Sequence, residues 1–302
     1  MNCRIVSQRH DGYQVKEVIL KDYIIEQLKK IAAASHENEL HKKVPEKAWG
    51  EPIIGFAKGD DPIFDQLKDH IGDFYWTPPE VYKLAFPKDD AKTKNLTVIS
   101  CIFPQTKKTK EAHGLVAEFP AENWVRSRYY WDVFAKDVAE QFIASLEKQG
   151  IKAVAPVMIP QWSRVHSEKH NYSSKWSERH TGYACGLGTF GYSEGLITSV
   201  GKAIRALSFI VNIPLAPTVR EYQAYNEYCL YYAKGICKKC IQRCPSGALT
   251  DKGHDKDKCD AYAENLNSET LRLYNTPNLS CGFCQTNVPC QSQIPLKIGG
   301  KK

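Results

Sequence analysis

A chain of 302 residues that is 42% hydrophobic can bury a substantial core, which excludes disordered and fibrous classes. Its first twenty residues are charged throughout, with no apolar run of signal-peptide length and no twin-arginine pair, and no later segment nears the roughly 18 apolar residues of a membrane span. A soluble, cytoplasmic protein with no membrane partner is expected. The net charge of +7 favours an anionic substrate, an acidic electron donor or RNA, although lysines and arginines spread along the chain as on an ordinary solvated surface.

Residues 21–33 place Ile24, Leu28 and Ile31 on one helical face, and a second amphipathic helix carries Phe64, Leu67, Ile71 and Phe74. "NLTVISCIFP", rich in β-branched residues and closed by Pro104, reads as a buried strand. Phe134, Val138, Phe142 and Leu146 then recur every four residues in a third helix that Gly150 stops. "IKAVAPVMIP" and "IRALSFIVNIPLAP" return to strand character. Helices alternating with strands predict a layered α/β or α+β domain. The proline-containing stretch "NIPLAPTVREY" sets the expected boundary between residues 1–217 and a small domain of residues 218–302.

Cysteine usage marks that second domain. Cys3, Cys101 and Cys185 are the cysteines of the first 228 residues, whereas eight lie between Cys229 and Cys290. "CKKCIQRCP" matches the last three positions of the bacterial C-x2-C-x2-C-x3-C-P cluster run, with Lys234 where the first ligand would stand. Cys229, a few residues upstream, is the natural replacement. The fourth cysteine of such a run ligates the other cluster. One [4Fe-4S] cluster would then take Cys229, Cys237, Cys240 and Cys290, and the other Cys244, Cys259, Cys281 and Cys284. All eight are used. The alternative is zinc held by Cys237, Cys240, Cys281 and Cys284, at a pair separation longer than the ~15–20 residues of a zinc ribbon and with four cysteines left over. Two clusters in one short module imply electron transfer.

Gly186, Gly188 and Gly191 form a formal G-x-G-x-x-G. The polar stretch before it does not read as a strand, and no acidic residue occurs between Glu194 and Glu221, so a dinucleotide fold is rejected. The glycines instead let backbone approach a large flat ligand or another element closely.

The order "SERHTGYACGLGTFGYSEGLIT", "GKAIRALSFIVNIPL", "CKKCIQRCPSGAL", a lone Cys259 and "CGFCQ" resembles the cobalamin-dependent iron-sulfur reductases, the corrinoid reductive dehalogenases and epoxyqueuosine reductase. The resemblance spans roughly residues 95–295. It implies a nitroreductase-like cobalamin-binding layered domain followed by a ferredoxin-like two-cluster domain, with Glu178, Arg179, Gly186, Gly188 and Gly191 as candidate cofactor-binding residues. Epoxyqueuosine reductase places an aspartate proton donor six residues before the Glu-Arg pair matched by Glu178 and Arg179, where this chain has Tyr172. Dehalogenases use a tyrosine helped by a basic residue, so the implied catalytic set is Tyr172 with Lys202 or Arg205. A phenol, with a pKa of about 10, keeps a proton to deliver at neutral pH. Cys185 is expected to be a small buried hydrophobe, and His254 takes no catalytic role.

The function expected from the resemblance is a cytoplasmic oxidoreductase that reductively cleaves or reduces a small organic substrate, as in the dehalogenases. Its electrons would come from a low-potential donor such as ferredoxin or flavodoxin. Epoxyqueuosine reductases commonly carry a helical-repeat extension that engages tRNA, and this chain ends shortly after Cys290, so tRNA ranks behind a small molecule. The alternatives are an electron-transfer or activator protein that reduces a partner's cofactor, and an epoxyqueuosine reductase-like tRNA-modifying enzyme.

Overall fold

The computed structural model of the protein describes residues 10–40 and 46–296, with the side chains of 18 onward. Cys3, the stretch read for export signals before residue 10, and residues 297–302 lie outside it. In chain order the elements are α1 His10–Ala34, β1 Ile53–Lys58, α2 Ile63–Ile71, α3 Pro78–Ala85, β2 Thr97–Pro104, α4 Lys107–Leu115, α5 Glu122–Tyr129, α6 Trp131–Glu147 and β3 Ala153–Val154. Two short hairpins flank α7 Glu178–Ala184: β4 Arg164–Ser167 with β5 Asn171–Ser174, and β6 Gly188–Phe190 with β7 Leu196–Thr198. After β8 Ile204–Val211 come α8 Leu230–Lys234, α9 Lys239–Gln242, β9 Leu249–Thr250, β10 Gly253–His254, α10 Lys256–Asn265 and α11 Asn267–Tyr274.

The centre is a four-stranded antiparallel sheet in the order β1-β2-β8-β3. Alternation along β2 and β8 sorts side chains to its two faces. Ile99, Cys101, Phe103, Leu207, Phe209 and Val211 pack with Ile24 and Leu28 of α1 and with the α6 stripe Phe134, Val138, Phe142 and Leu146. Val98 and Ile210 turn the other way, onto Phe64 and Leu67 of α2, Val81 of α3 and Ala184 of α7. Both faces are therefore covered, as in a layered α/β domain.

Two sequence expectations shift. Phe74 lies beyond α2, because Gly72 takes a φ of +138° and ends the helix. "IKAVAPVMIP" supplies only the two-residue β3, after which Pro156, which has no N–H to donate to a ladder, opens a single helical turn at Pro156–Met158.

The cysteine-bearing segment packs directly onto the layered part. Trp124 Nε1 of α5 donates to Ser280 O at 3.2 Å, and Arg126 Nη2 donates to Tyr274 O at 2.8 Å. His113 of α4 is stacked between Trp124 and Phe283, with ring centroids at 4.4 and 4.7 Å. No helix among the described residues is long and apolar enough to cross a membrane.

Candidate functional site

A cleft of about 790 Å³ opens where the β4–β5 hairpin, α7 and the turn after β6 meet α10. Its volume lies within the ~300–1,000 Å³ of ligand sites. The hairpin brings Arg164 and Tyr172 to the rim. The Arg164 guanidinium lies 4.5 Å from the centroid of the Tyr172 ring, and His166 meets that ring edge-on at 5.5 Å. Lys256, on the first turn of α10, ties the hairpin down by donating to His170 O at 2.8 Å and Tyr172 O at 3.3 Å. It also pairs with Glu194 at 3.3 Å. Burial alone would raise the Glu194 carboxyl, but the neighbouring His254, Lys256 and Arg179 outweigh it and hold the group at about 2.

Ser177 caps α7 by accepting from His180 N. The next three side chains then diverge. Arg179 reaches the cleft and donates to Glu194 O at 2.7 Å. His180 lines the cleft wall, hydrogen-bonded through Nδ1 to Ser177 Oγ at 2.7 Å. Burial, with Arg179 nearby, lowers its pKa to about 3. Glu178 points beneath the helix towards Ser208 of β8, with both oxygens buried and without a hydrogen bond of ordinary geometry. Burial raises its pKa to about 8, the Ser208 side chain and backbone only tempering the rise. Burial thus disfavours the charged form of both Glu178 and His180.

The eight cysteines gather in two sets. Cys229, Cys237, Cys240 and Cys290 line one small cavity, walled also by Ile197, Val288 and Pro295. Cys259 and Cys281 are in side-chain contact, with Cys284 and Cys244 beside them. Among the described residues no three His, Cys, Asp or Glu side chains are gathered as closely as one metal ion demands. Of the zinc alternative's two pairs, Cys237 and Cys240 line the first cavity and Cys281 and Cys284 do not, although Cys284 packs in one apolar cluster with Cys240. Four thiols around an apolar cavity suit a four-iron cluster, which is held by four thiolates and tuned by limited solvent access. Cys259 also stands in the wall of the cleft, so the second set borders the large cavity directly.

Of the catalytic residues inferred from the resemblance, Tyr172 alone reaches the cleft, with the residue 36% exposed. Lys202 is 2% exposed and lines the cavity of the first cysteine set. Arg205 sits in β8 opposite Phe103, where burial and Arg128 oppose its charge. The three do not come together. Among the proposed cofactor residues, Arg179 and Gly191 line the cleft, whereas Glu178, Gly186 and Gly188 do not. Gly188 serves close packing instead, since a Cβ there would stand 2.2 Å from Ile197 O. The glycine turn follows a helix and opens a strand, the reverse of the dinucleotide fingerprint. Cys185 is fully buried.

Arg164, Lys256 and the touching pair His70 and His170, 4.9 Å apart, are cleft residues that the motifs did not indicate. His254, given no role from sequence, lines the cleft and faces Glu194 at 3.5 Å. Its place just before Cys259 is the available signal, because a cysteine that borders the cleft carries its neighbours with it.

A layered α/β body with an eight-cysteine module against its cleft defines a class, and the comparisons with known proteins support the resemblance to the cobalamin-dependent iron-sulfur reductases. No protein-family model matches the chain. The chain is similar to the epoxyqueuosine reductase of Bacillus subtilis (strain 168), with 24% identity over 268 residues covering 80% of this chain and 61% of that protein. A crystal structure of selenomethionine-labelled epoxyqueuosine reductase shares the fold at a TM-score of 0.52 and 19% identity, covering 91% of this chain and 66% of that one. A catabolic reductive dehalogenase bound to 3-bromo-4-hydroxybenzoic acid matches at a TM-score of 0.47 and 14% identity, over 81% of this chain and 30% of that one. The chain thus spans a little under two thirds of its curated relative, and these relatives are reductases.

Proposed function

We propose that the protein is an iron-sulfur reductase of the epoxyqueuosine reductase type, with two [4Fe-4S] clusters on the two cysteine sets and cobalamin in the cleft. One observation carries the reading: Cys259, a member of the cysteine module, forms part of the cleft wall. Electrons arriving from a low-potential donor such as ferredoxin or flavodoxin would thereby be delivered where substrate binds. Bound there, a corrinoid would supply the reductive chemistry. Arg179 and the Ser174 and Ser177 hydroxyls are the cleft groups that would hold its amide arms.

The chain's own groups do the rest. Arg164, 3.7 Å from Asp260, is the exposed cation at the rim that an anionic substrate would meet, and Tyr172 presents a phenolic proton at the same rim. The relative at 24% identity favours an epoxyqueuosine-like substrate and moves tRNA ahead of the small molecule that the sequence reading placed first. The dehalogenase-type reading stands second and rests on Tyr172, which occupies the cleft where an epoxyqueuosine reductase would have aspartate. Free thiolate ligands fit a reducing, cytoplasmic setting.

Anaerobically purified protein should contain iron, sulfide and cobalt, and should convert an epoxyqueuosine-modified tRNA stem loop in the presence of a low-potential reductant, with the product read by mass spectrometry. Binding should weaken steeply with salt. Conversion of a bromophenol but not the stem loop would select the second reading, and iron without cobalt binding or turnover would leave an electron carrier. Tyr172→Phe should abolish turnover while iron and cobalt content stay at wild-type levels; normal turnover would remove Tyr172 from the chemistry.

A further inference from the structure

Lys202 is buried to 2% exposure, and its ammonium donates to a neutral group, Ser193 Oγ, at 2.8 Å. A buried ammonium without an opposite charge is strongly disfavoured, so something close by has to be anionic.

The local backbone is built to hold this side chain. A tight turn, Thr198 N to Gly201 O at 3.0 Å and Gly201 N to Thr198 O at 2.9 Å, leads out of β7 with Gly201 at φ +85°. The chain then lies against the end of the cysteine module. Lys202 N donates to Cys290 O at 2.9 Å, Ala203 N donates to Gln291 O at 3.2 Å, and a Cβ on Gly201 would stand 2.2 Å from Gln291 O. Gly195 leaves room for the lysine stem, because its Cβ would meet Lys202 Cδ at 3.1 Å. The stem ends in the cavity lined by Cys229, Cys237, Cys240 and Cys290. Ser193, which holds the ammonium, also contacts Cys284 of the second set.

We propose that Lys202 is the fixed positive charge that sets the reduction potentials of the iron-sulfur clusters, standing in the wall of the first and one hydroxyl away from the second. The inference rests on the two-cluster reading above. Each electron added to a thiolate-held cluster makes it more negative, so a desolvated cation beside it stabilises the reduced form and raises the potential. Lys202 acts as a positioning residue for electrons and touches no substrate.

The test is a dithionite titration of the anaerobic holoprotein followed by electron paramagnetic resonance, with iron and sulfide measured on each sample. In Lys202→Met the ratio of reduced to oxidised first cluster, at a fixed ambient potential, should fall at least tenfold, a shift of 59 mV to lower potential for one electron. Lys202→Arg, which keeps the charge, should stay near wild type. Superimposable titrations of Lys202→Met and wild type would overturn the proposal. Should Lys202→Met fail to hold iron, retention of both clusters by Lys202→Arg at wild-type potential supports the charge role, and loss of clusters from both variants overturns it in favour of a steric one. Wild-type protein without iron and sulfide would instead refute the two-cluster reading itself.

Discussion

Glu178 and His180 stand two residues apart on α7, and burial disfavours the charged form of both, moving their pKa values in opposite directions. Burial raises the carboxyl to about 8 and lowers the imidazole to about 3. The sign for Glu178 follows from linkage. Between its ordinary 4.5 and about 8 the folded protein keeps the proton while the unfolded chain releases it, so stability is full below 4.5 and declines as pH rises to 8. Glu178→Gln keeps the shape without the proton. The stability of wild type relative to the Gln variant, read from denaturant midpoints, should fall between pH 5 and pH 8 by the equivalent of a few kcal/mol, the variant having cancelled every other titrating group from the comparison. Equal pH dependence in both proteins would show that Glu178 is not the titrating group. The resemblance offered Glu178 as a cofactor-binding residue because residue type does not report burial. Likewise Lys202 and Arg205 stood within one short stretch as alternative helpers for Tyr172. In the fold, one enters the cysteine cavity and the other faces Phe103 in the sheet.

At the scale of elements, the joint between α5 and the second C-x2-C depends on one backbone position. Gly282 has φ +69°, and a Cβ there would stand 2.0 Å from Trp124 Cζ2. Gly150 has a similar φ of +75° with nothing within 4 Å of its Cβ position. Gly150→Ala should therefore cost only the left-handed backbone strain, about 1 kcal/mol. Gly282→Ala should add a steric clash and cost on the order of 2 kcal/mol or more. Denaturant midpoints compare the two, and an equal loss would mean that Trp124 moves aside freely. The strongly patterned elements, α1, α2, α6, β2 and β8, were legible because their apolar residues recur at helical or strand period. The β4–β5 and β6–β7 hairpins were not, and β3 was read longer than its two residues. They carry too few residues for a period, and the positions that turn them, Asn171 at φ 55° and Glu194 at φ 56°, are not glycines.

Across the whole molecule, the cysteine count was readable because eight thiols in one segment have few uses, whereas the cleft was not, because its walls come from residues as distant as His70, Tyr172 and Asp260. The crossed sets make a prediction at this scale. On the proposed ligand sets Cys229→Ala would remove a ligand from the first cluster and Cys259→Ala one from the second, so each variant should keep about half the wild-type iron. The two should differ in which reduced-cluster signal disappears. Persistence of both clusters in Cys229→Ala would return the upstream cysteine to a packing role.

The crossing also orders the protein's biosynthesis. The first set begins at Cys229 but closes only with Cys290, and the second waits for Cys284. A nascent chain on the ribosome therefore holds several exposed thiols and no finished ligand set until almost the last of the described residues has been made. On the proposed ligand sets iron loading would follow translation, and the layered part, whose sheet is complete at Val211, would already be available as the surface that receives the module.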